Sequence, residues 1–406
     1  MSGPASNADI VVVGGGGHVG LPLSIVFASK GKKVRVFDIN RATIDTIMSG
    51  QMPFMEQGAE PLLKDVLARG LLDASTTPEC IRGVPVIIIT IGTPVDEFLN
   101  PSLKAITRCF DEMIPYLSDD QLIVMRSTVY PGVTESMATY LASRGRKTRV
   151  AFCPERIVQG FAVEELQTLP QIVAGTTQDA EDEAAELFEL IAPEVIRLSP
   201  REAELVKLFN NAFRYIQFAV ANQFYLIAES AGVDYYRVMD GMKRNYSRGA
   251  IPGAGFAAGP CLFKDTMQLA AFYRNQFSLG YAAMLVNESM PQSIVERIAA
   301  QFDLANITVG LLGMAFKANI DDPRSSLSYK LKKLLAFRAR RILTADPFVQ
   351  NDPDILPVED VVAQSDVLVL CAPHNAYRAL DLGGKPCIDI WNFWSAEPVC
   401  ANAAGA

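Results

Sequence analysis

Histidine is scarce in this chain: His18 and His374 are the two among 406 residues. This scarcity argues against a serine–histidine triad and against a histidine-rich metal centre, so we expect no metal site. The seven cysteines are scattered and form no Cys-x-x-Cys pair. Their pattern argues against a disulfide framework or a zinc site and indicates reduced thiols in a cytoplasmic protein.

Positive charge is also in short supply, because the formal net charge is -8. We therefore expect neither a nucleic acid nor a membrane as partner, and an anionic substrate must be held by local basic residues. The first apolar run, residues 10–13, lacks a basic leader and is followed by four glycines. It is thus expected to be neither a signal peptide nor a membrane span. With half of its residues hydrophobic, the chain is long enough for two or three domains.

A glycine fingerprint follows the first apolar run. Residues 10–13 read as a buried strand, Gly15-x-Gly17-x-x-Gly20 as a tight turn, and residues 21–29 as a helix. A second strand, residues 33–37, ends at Asp38. Glycines permit close approach of a pyrophosphate, the helix N-terminus binds it, and the acid accepts hydrogen bonds from ribose hydroxyls. The pattern predicts a dinucleotide site that takes NAD rather than NADP, with His18 as a loop residue of the turn.

Polar or glycine-proline clusters end three further predicted strands, at residues 84–90, 122–125 and 149–152. Ligands of open α/β sheets bind beyond the carboxyl ends of the strands, so these clusters are expected to share one crevice near the nicotinamide. Ordinary turn chemistry accounts equally well for any one cluster. The residues concerned are Thr93, followed by Pro94, then Ser127 and Thr128, then Glu155 and Arg156.

The stretch from Gly253 to Thr266 carries the candidate nucleophile. Its glycines deliver Cys261 to the predicted first turn of a helix, where the helix dipole and Lys264 favour the thiolate. Upstream, Ser199-Pro200-Arg201-Glu202 is typical of a helix start, and Gly232 of a stop. The long helix between them carries Lys207 and Asn211 one turn apart, a pair that could hold an oxyanion. A solvated helix face is the alternative for that pair, and a buried cysteine the alternative for Cys261.

From about residue 299 the α/β pattern returns, with strands predicted at 307–312, 341–345, 366–370 and 386–390. A basic helix between the first two suits a phosphorylated ligand or, equally, surface ion pairs. The predicted fold class is α/β: two Rossmann-like doubly wound domains joined by a long central helix and a small helical domain. The predicted domains are residues 1–198 with the dinucleotide site, residues 199–298 with the long helix and Cys261, and residues 299–406 with the second α/β pattern.

In their order along the chain, these motifs resemble the UDP-glucose/GDP-mannose dehydrogenases, the nucleotide-sugar 6-dehydrogenases, over nearly the whole length. The glycine fingerprint, Gly92-Thr93-Pro94, Ser127-Thr128, Pro154-Glu155, Lys207 with Asn211, and Cys261-x-x-Lys264-Asp265 all match. So does Phe316-Lys317 with Asp321-Asp322-x-Arg324. The forms Pro154-Glu155-Arg156 and Leu169-Pro-Gln-Ile-Val173 look most like the branch that acts on UDP-N-acetylhexosamines.

The resemblance implies a four-electron oxidation of a sugar C6 hydroxyl to a carboxylate with two NAD in turn, through a Cys261 thiohemiacetal and thioester. Lys207 and Asn211 would stabilise the oxyanion, Asp265 and Thr128 would hold water, and Glu155 is a candidate base. The cofactor-binding residues implied are Gly15, Gly17, His18, Val19, Gly20, Asp38, Thr93, Ser127, Thr128 and Arg324. The substrate-binding residues implied are Glu155, Arg156, Lys207, Asn211, Arg244, Arg248, Gly255, Phe256, Phe316 and Lys317.

Family members commonly form homodimers through their central helices, and Arg244 or Arg248 would reach the neighbouring subunit's site. This chain departs from the family at three places: one extra residue between Phe256 and Cys261, Gln159 for a glutamate, and Trp391 for an arginine. The alternatives are a UDP-glucose or GDP-mannose 6-dehydrogenase and a sensor that binds nucleotide sugar or NAD without turnover. A two-electron hydroxyacid dehydrogenase leaves Cys261 unexplained.

Overall fold

The computed structural model describes residues 8–93 and 104–395. The chain divides into two compact units, residues 1–210 and 211–406, each of which contains one sheet. The division into three domains at residues 198 and 298 stays a prediction. In the described residues, no helix has the length and apolar character needed to cross a membrane.

The first unit is built on an eight-stranded sheet in the order β3-β2-β1-β4-β5-β6-β7-β8. Every pairing is parallel except that of β6 with β7, which is antiparallel. Neighbouring residues of β1 face opposite sides: Val11 packs into one apolar core and Val12 into the other. Because both faces are covered, strands such as β1, β4 and β5 are apolar throughout, which is why they could be predicted. Strands β3, β7 and β8, which contain fewer apolar residues, were not predicted. The strands are β1 (Ile10–Val13), β2 (Val34–Phe37), β3 (Leu72–Ser75), β4 (Val86–Ile89), β5 (Leu122–Met125), β6 (Arg149–Phe152), β7 (Gln171–Gly175) and β8 (Val195–Arg197).

Seven helices accompany this sheet in the described residues. The N-terminus of helix α5 is capped by the side chain of Glu204, which lies further along the chain. The Glu204 carboxylate accepts hydrogen bonds from the amides of Gly132 (2.6 Å) and Thr134 (2.9 Å). The seven are α1 (Gly20–Ser29), α2 (Arg41–Met48), α3 (Ala59–Ala68), α4 (Lys104–Met113), α5 (Val133–Ser143), α6 (Ala162–Thr168) and α7 (Gln178–Glu189).

The long helix α8 (Pro200–Ser230) has the ends that the sequence predicts. The Glu202 carboxylate accepts hydrogen bonds from the amide (2.8 Å) and the hydroxyl (2.6 Å) of Ser199, as in a capping box. Gly232, two residues past the end, adopts a left-handed φ of 69°. A residue with a Cβ is strained in that conformation, so glycine ends the helix there.

The second unit continues with α9 and contains a four-stranded parallel sheet in the order β10-β9-β11-β12. All four strands were predicted. Alternate residues of β11 again enter different cores: Val367 and Val369 enter one, Leu368 and Leu370 the other. Its elements are α9 (Tyr235–Lys243), α10 (Leu262–Phe272), α11 (Ser278–Ala299), β9 (Thr308–Leu312), α12 (Leu327–Ala336), β10 (Arg341–Ala345), α13 (Val358–Gln364), β11 (Val367–Leu370) and β12 (Cys387–Asp389).

A buried Asp–His pair joins the ends of β10 and β11. The Asp346 carboxylate lies 3.1 Å from Nε2 of His374, whose Nδ1 accepts a hydrogen bond from the amide of Asn319 at 2.9 Å. Because Nδ1 is the acceptor, Nε2 carries the proton and donates to Asp346. Burial raises the pKa of Asp346, but the His374 hydrogen bond and backbone donors such as Ala315 and Phe348 outweigh it and lower the pKa to about 2.

This pair predicts a specific acid sensitivity. Folding lowers the pKa of Asp346 from 3.8 to about 2, so the ionised carboxylate stabilises the fold at pH values above 3.8. This stabilisation is lost as the pH falls from 3.8 through about 2. We expect Asp346→Asn to lower the free energy of unfolding at neutral pH by about 1–3 kcal/mol, with a smaller difference from wild type as the pH falls below about 4.

The measurement is urea unfolding followed by tryptophan fluorescence, because both tryptophans, Trp391 and Trp394, lie in this unit. The control is Asp354→Asn, since Asp354 forms an exposed ion pair with Lys332 and such pairs contribute little. Equal behaviour of the two variants at every pH would contradict the prediction.

Candidate active site

The turn between β1 and α1 is so tightly packed that two of its glycines have no room for a side chain. A Cβ atom on Gly15 would lie 2.6 Å from the carbonyl oxygen of Val12, and one on Gly20 would lie 2.7 Å from that of Gly14. These glycines therefore serve the packing of the turn itself. On Gly17 the nearest atom would be 3.5 Å away, an ordinary contact, so that glycine is the one whose bare backbone suits a ligand.

Helix α1 begins without an acidic group. Val19 occupies the N-cap, and within the described residues no side chain caps this helix and its first turn holds no Asp or Glu. Asp38, directly after β2, instead accepts hydrogen bonds from the amides of Gly16 (3.1 Å) and Asn40 (3.0 Å). A helix N-terminus that can receive a phosphate and an acid that can receive a ribose fit a dinucleotide such as NAD.

The same turn is supported from neighbouring loops. The ring of His18 stacks on that of Phe54, with the centroids 4.0 Å apart, which agrees with its interpretation as a loop residue. The hydroxyl of Thr90, at the end of β4, donates toward the carbonyl oxygens of Val13 (2.9 Å) and Gly14 (3.1 Å). The end of β4 therefore holds the start of the glycine turn, at Val13 and Gly14, through the Thr90 hydroxyl.

The polar clusters after β4 and β5 lie side by side, as the sequence predicts. The Thr93 hydroxyl donates to the carbonyl oxygen of Thr128 at 2.6 Å, and the Ser127 hydroxyl donates to that of Ile91 at 2.7 Å. Thr93 and Ser127 are buried, whereas Thr128 is partly exposed. Pro94 lies outside the described residues. The arrangement brings the three predicted cofactor residues together, and their contact with the cofactor stays a prediction.

Glu155 meets a partner that the sequence did not reveal, the fully buried Arg126. Oε2 of Glu155 accepts hydrogen bonds from Nε of Arg126, at 2.9 Å, and from Nη2 of the same guanidinium. The Arg126 guanidinium also donates to Oε1 of Gln171 at 2.9 Å and to the carbonyl oxygen of Cys153 at 3.0 Å. A buried guanidinium needs such compensation, and Glu155 supplies the charge.

The second oxygen of Glu155 is occupied as well. Its Oε1 accepts hydrogen bonds from the amides of Arg156 (2.7 Å) and Ile157 (2.9 Å). A carboxylate with both oxygens held in this way favours a structural role over the predicted role of general base. The guanidinium of Arg156 donates to the carbonyl oxygen of Pro170, so that its predicted contact with substrate requires another of its donors.

Cys261 is exposed and stands one residue earlier than predicted, at the N-cap of α10 rather than inside its first turn. Its carbonyl oxygen accepts the first helical hydrogen bond, from the amide of Asp265 at 2.8 Å. The helix dipole acts at the N-cap as it does in the first turn. Position and exposure therefore suit a nucleophile.

Behind the cysteine lies a buried carboxylate. The amide nitrogen of Asn211 donates to Oδ2 of Asp265 at 2.5 Å, and Asp265 is fully buried. Its Oδ1 has no hydrogen-bond partner in the described residues, although the Lys264 ammonium lies 3.1 Å away. Such an oxygen can accept from a water or a substrate hydroxyl. The partly buried Lys207 precedes Asn211 by one turn on α8.

Arg324 lies within electrostatic reach of the cysteine. Its hydrogen bond with Asp322 raises the pKa of Arg324, and the charge of Cys261 raises it further. The loops that carry the two residues are joined, because the amide of Gly259 donates to the carbonyl oxygen of Ser325 at 3.2 Å. A cation that interacts electrostatically with the sulfur favours the thiolate. This contribution is distinct from the cofactor contact that the resemblance implies.

The remaining predicted substrate residues differ in their surroundings. The side chain of Phe256 is buried in the core of the second unit, so a contact with substrate would involve its backbone. Phe316 packs with its ring against Gly259, whereas Lys317 is partly exposed. Arg244 and Arg248 are exposed and have local contacts, with Asp240 and with the Tyr246 ring respectively.

Sequence models of the UDP-glucose/GDP-mannose dehydrogenase family match the chain in three parts. The NAD binding domain matches residues 8–192, the central domain residues 201–289 and the UDP binding domain residues 310–396. A UDP-N-acetyl-D-mannosamine dehydrogenase of Pyrococcus horikoshii is 31% identical, with 91% of each chain aligned. An NDP-N-acetyl-D-galactosaminuronic acid dehydrogenase of Ralstonia nicotianae is 28% identical, over 96% of this chain and 97% of that one.

Solved structures agree with these relatives. A UDP-D-ManNAc dehydrogenase from Pyrococcus horikoshii superimposes with a TM-score of 0.87 at 28% identity and covers 95% of this chain and 100% of its own. A UDP-glucose dehydrogenase from Pyrobaculum islandicum gives a TM-score of 0.87 at 26% identity, over 97% of each chain. The predicted fold class and cofactor are thereby confirmed. The chain belongs to the UDP-glucose/GDP-mannose dehydrogenase family and is an NAD-dependent nucleotide-sugar dehydrogenase.

Proposed function

We propose that this enzyme oxidises the C6 hydroxyl of a UDP-N-acetylhexosamine to a carboxylate through a thioester on Cys261. The observation that carries the proposal is the exposed Cys261 at the start of α10, followed one turn later by the buried Asp265 that Asn211 holds. The choice of an N-acetylhexosamine is supported by the names of the similar enzymes from Pyrococcus horikoshii and Ralstonia nicotianae. UDP-glucose and GDP-mannose are the alternative substrates.

Cys261 acts between the two oxidations. Bound NAD supplies a hydride acceptor for each of them. After the first oxidation, the sulfur adds to the C6 aldehyde and forms an S–C6 bond, and the carbonyl oxygen gains a proton. Loss of a second hydride from C6, together with the proton of the new hydroxyl, gives the thioester. Water then adds to C6, and the S–C6 bond breaks to give the carboxylate, a proton and the free thiol. Arg324 and the helix N-terminus stabilise the attacking thiolate.

The polar residues that the resemblance assigns to this reaction have distinct tasks. Lys207 and the Asn211 amide stabilise the negative oxygen that forms when sulfur or water adds to C6. The hydrogen-bonding capacity left on Oδ1 of Asp265 suits the hydrolytic water, from which this carboxylate takes a proton. Thr128 assists in holding that water, by family resemblance. Glu155 instead keeps the Arg126 charge compensated.

We also infer that the enzyme is a homodimer that works in the cytoplasm. Five apolar side chains on one stripe of α8 are exposed: Phe209, Phe213, Val220, Phe224 and Ile227. Their exposed fractions run from 37% to 62%, which is typical of a surface that a second copy covers. The six cysteines in the described residues are all free thiols, which supports a reducing compartment.

The first test uses purified enzyme, NAD and a panel of UDP-N-acetylmannosamine, UDP-N-acetylglucosamine, UDP-glucose and GDP-mannose. We expect about two NADH per sugar consumed with one N-acetylhexosamine, because the aldehyde stays covalently bound until its second oxidation. Cys261→Ala should form no uronic acid. The matched control is Cys109→Ala, since burial raises the pKa of that thiol to about 12 and no role is assigned to it.

Three results would count against the proposal. Two NADH per sugar from Cys261→Ala would remove the covalent step. A ratio near one in the wild type would do the same. Absence of turnover with every sugar in the panel would favour the sensor that binds without catalysis.

A second test concerns Asp265. We expect Asp265→Asn to slow turnover by about 10²–10⁴-fold, because proton removal from water is impaired. The thioester should then accumulate and add the mass of the nucleotide-sugar acyl group to the intact protein. The control is the double variant Asp265→Asn with Cys261→Ala, which has no nucleophile at position 261 and can form neither a thioester nor an ester. An Asp265→Asn enzyme with wild-type turnover would contradict this role.

The third test addresses the apolar stripe. Phe213→Glu together with Phe224→Glu should convert the dimer to a monomer in analytical ultracentrifugation, because two charges would be buried in each half of the interface. The control is Phe337→Glu, at a phenylalanine of α12's C-terminal end that is 88% exposed. A dimer that survives both substitutions on α8 would place the interface elsewhere.

A further inference from the structure

Two fully buried asparagines connect the glycine-rich segment before Cys261 to the helices of the second unit. The amide of Gly255 donates to Oδ1 of Asn222 on α8 at 2.9 Å, and Nδ2 of Asn222 donates to Oδ1 of Asn287 on α11 at 2.9 Å. Nδ2 of Asn287 donates to the carbonyl oxygen of Tyr215 at 3.0 Å. Both asparagine side chains are inaccessible to solvent. We call Gly255, Asn222, Asn287 and Tyr215 the amide chain.

The chemistry at its two ends orients the whole amide chain. The Gly255 amide can only donate, so Asn222 presents its oxygen there, and the Tyr215 carbonyl can only accept, so Asn287 presents its nitrogen there. The hydrogen bond between the two asparagines then has a single direction. If either asparagine is removed, its partner stays buried with an unpaired polar group, which is costly.

The glycine-rich segment is also held on its other side. A Cβ atom on Gly255 would lie 2.0 Å from the Trp391 ring, and one on Gly259 would lie 2.6 Å from the Phe316 ring. These rings therefore rest directly on the backbone. The amide chain fixes the position of Gly255 on one side, and the two rings block movement of the segment on the other. Cys261 lies two residues after Gly259, so its position depends on this segment.

We propose that Asn222 and Asn287 are positioning residues for Cys261, which they hold where its sulfur can add to the aldehyde. This inference rests on the proposed thioester route. Neither asparagine is exposed to substrate, so both act through the backbone from Gly255 to Cys261. The sulfur reacts only after the first oxidation, and a displaced thiol therefore impairs the second oxidation more than the first.

A purely structural role makes a different prediction. Loss of packing lowers the melting temperature and the amount of active enzyme, and it leaves the number of NADH molecules per sugar unchanged. Loss of thiol position lets the aldehyde escape before capture, so the ratio of NADH to sugar falls. The two roles are thus separated by stoichiometry rather than by rate.

The experiment compares wild type, Asn222→Ala, Asn287→Ala and Met290→Ala with NAD, the preferred nucleotide sugar and hydroxylamine as an aldehyde trap. Met290 is the matched control, because it is 1% exposed on α11 and lies outside the amide chain. We expect the ratio to fall from about two toward one in both asparagine variants, with trapped aldehyde detected by mass spectrometry. The ratio should stay near two in Met290→Ala, whose melting temperature falls as well.

A second readout needs neither cofactor nor substrate. In the enzyme without ligands, iodoacetamide should modify Cys261 about tenfold more slowly in Asn222→Ala, because a thiol displaced from the helix N-terminus and Arg324 has a higher pKa. The KM for NAD should stay within about twofold of wild type. Asn287→Ala keeps the bond between Asn222 and Gly255, and it therefore provides a milder variant if Asn222→Ala does not fold.

The outcomes separate this inference from the function on which it rests. A wild-type ratio near one would overturn the thioester route itself. A wild-type ratio near two, with both asparagine variants unchanged in ratio and in alkylation rate, would overturn the positioning role and leave the thioester route intact. A reduced ratio in Met290→Ala as well would also overturn it, because general destabilisation would then suffice.

Discussion

The hydrogen bond between Asn211 and Asp265 is the interaction on which the reactive part of the second unit depends. Asp265 is a fully buried carboxylate, and a buried charge persists only where other groups compensate for it. The Asn211 amide on one oxygen and the nearby Lys264 ammonium provide that compensation. Because Asp265 belongs to the first turn of α10, the same bond ties this helix, and Cys261 at its start, to α8.

The apolar and conformational parts of the fold could be predicted from the sequence. Strands such as β1 and β11 are buried on both faces and appear as uninterrupted apolar runs. The motif Ser199-Pro200-Arg201-Glu202 predicts the start of α8, because a capping box involves only residues that are close in sequence. Strand β7 was not predicted, because its sequence begins with Gln171, whose buried side chain binds Arg126.

Contacts between distant polar residues could not be read from the chain. Arg126 and Glu155 are separated by 29 positions and Asn222 and Asn287 by 65, and neither spacing follows any local rule. Glu155 is predicted to be a base because of its place in a motif, whereas its hydrogen bonds to Arg126 and to two backbone amides favour a structural role. Arg126 had one visible signal: a charged residue that directly follows the buried run Leu122–Met125 requires a partner.

The two rings that rest on glycines limit which domains can be exchanged between members of this family. Trp391 contacts the backbone at Gly255, and Phe316 contacts it at Gly259, so the shape of the cysteine-bearing segment is complementary to loops that follow β12 and β9. Trp391 is one of the positions at which the sequence is predicted to depart from the family. A chimaera that exchanges the UDP binding domain alone would set a foreign side chain against Gly255. A chimaera therefore has to exchange the cysteine-bearing segment together with the loops that carry Trp391 and Phe316.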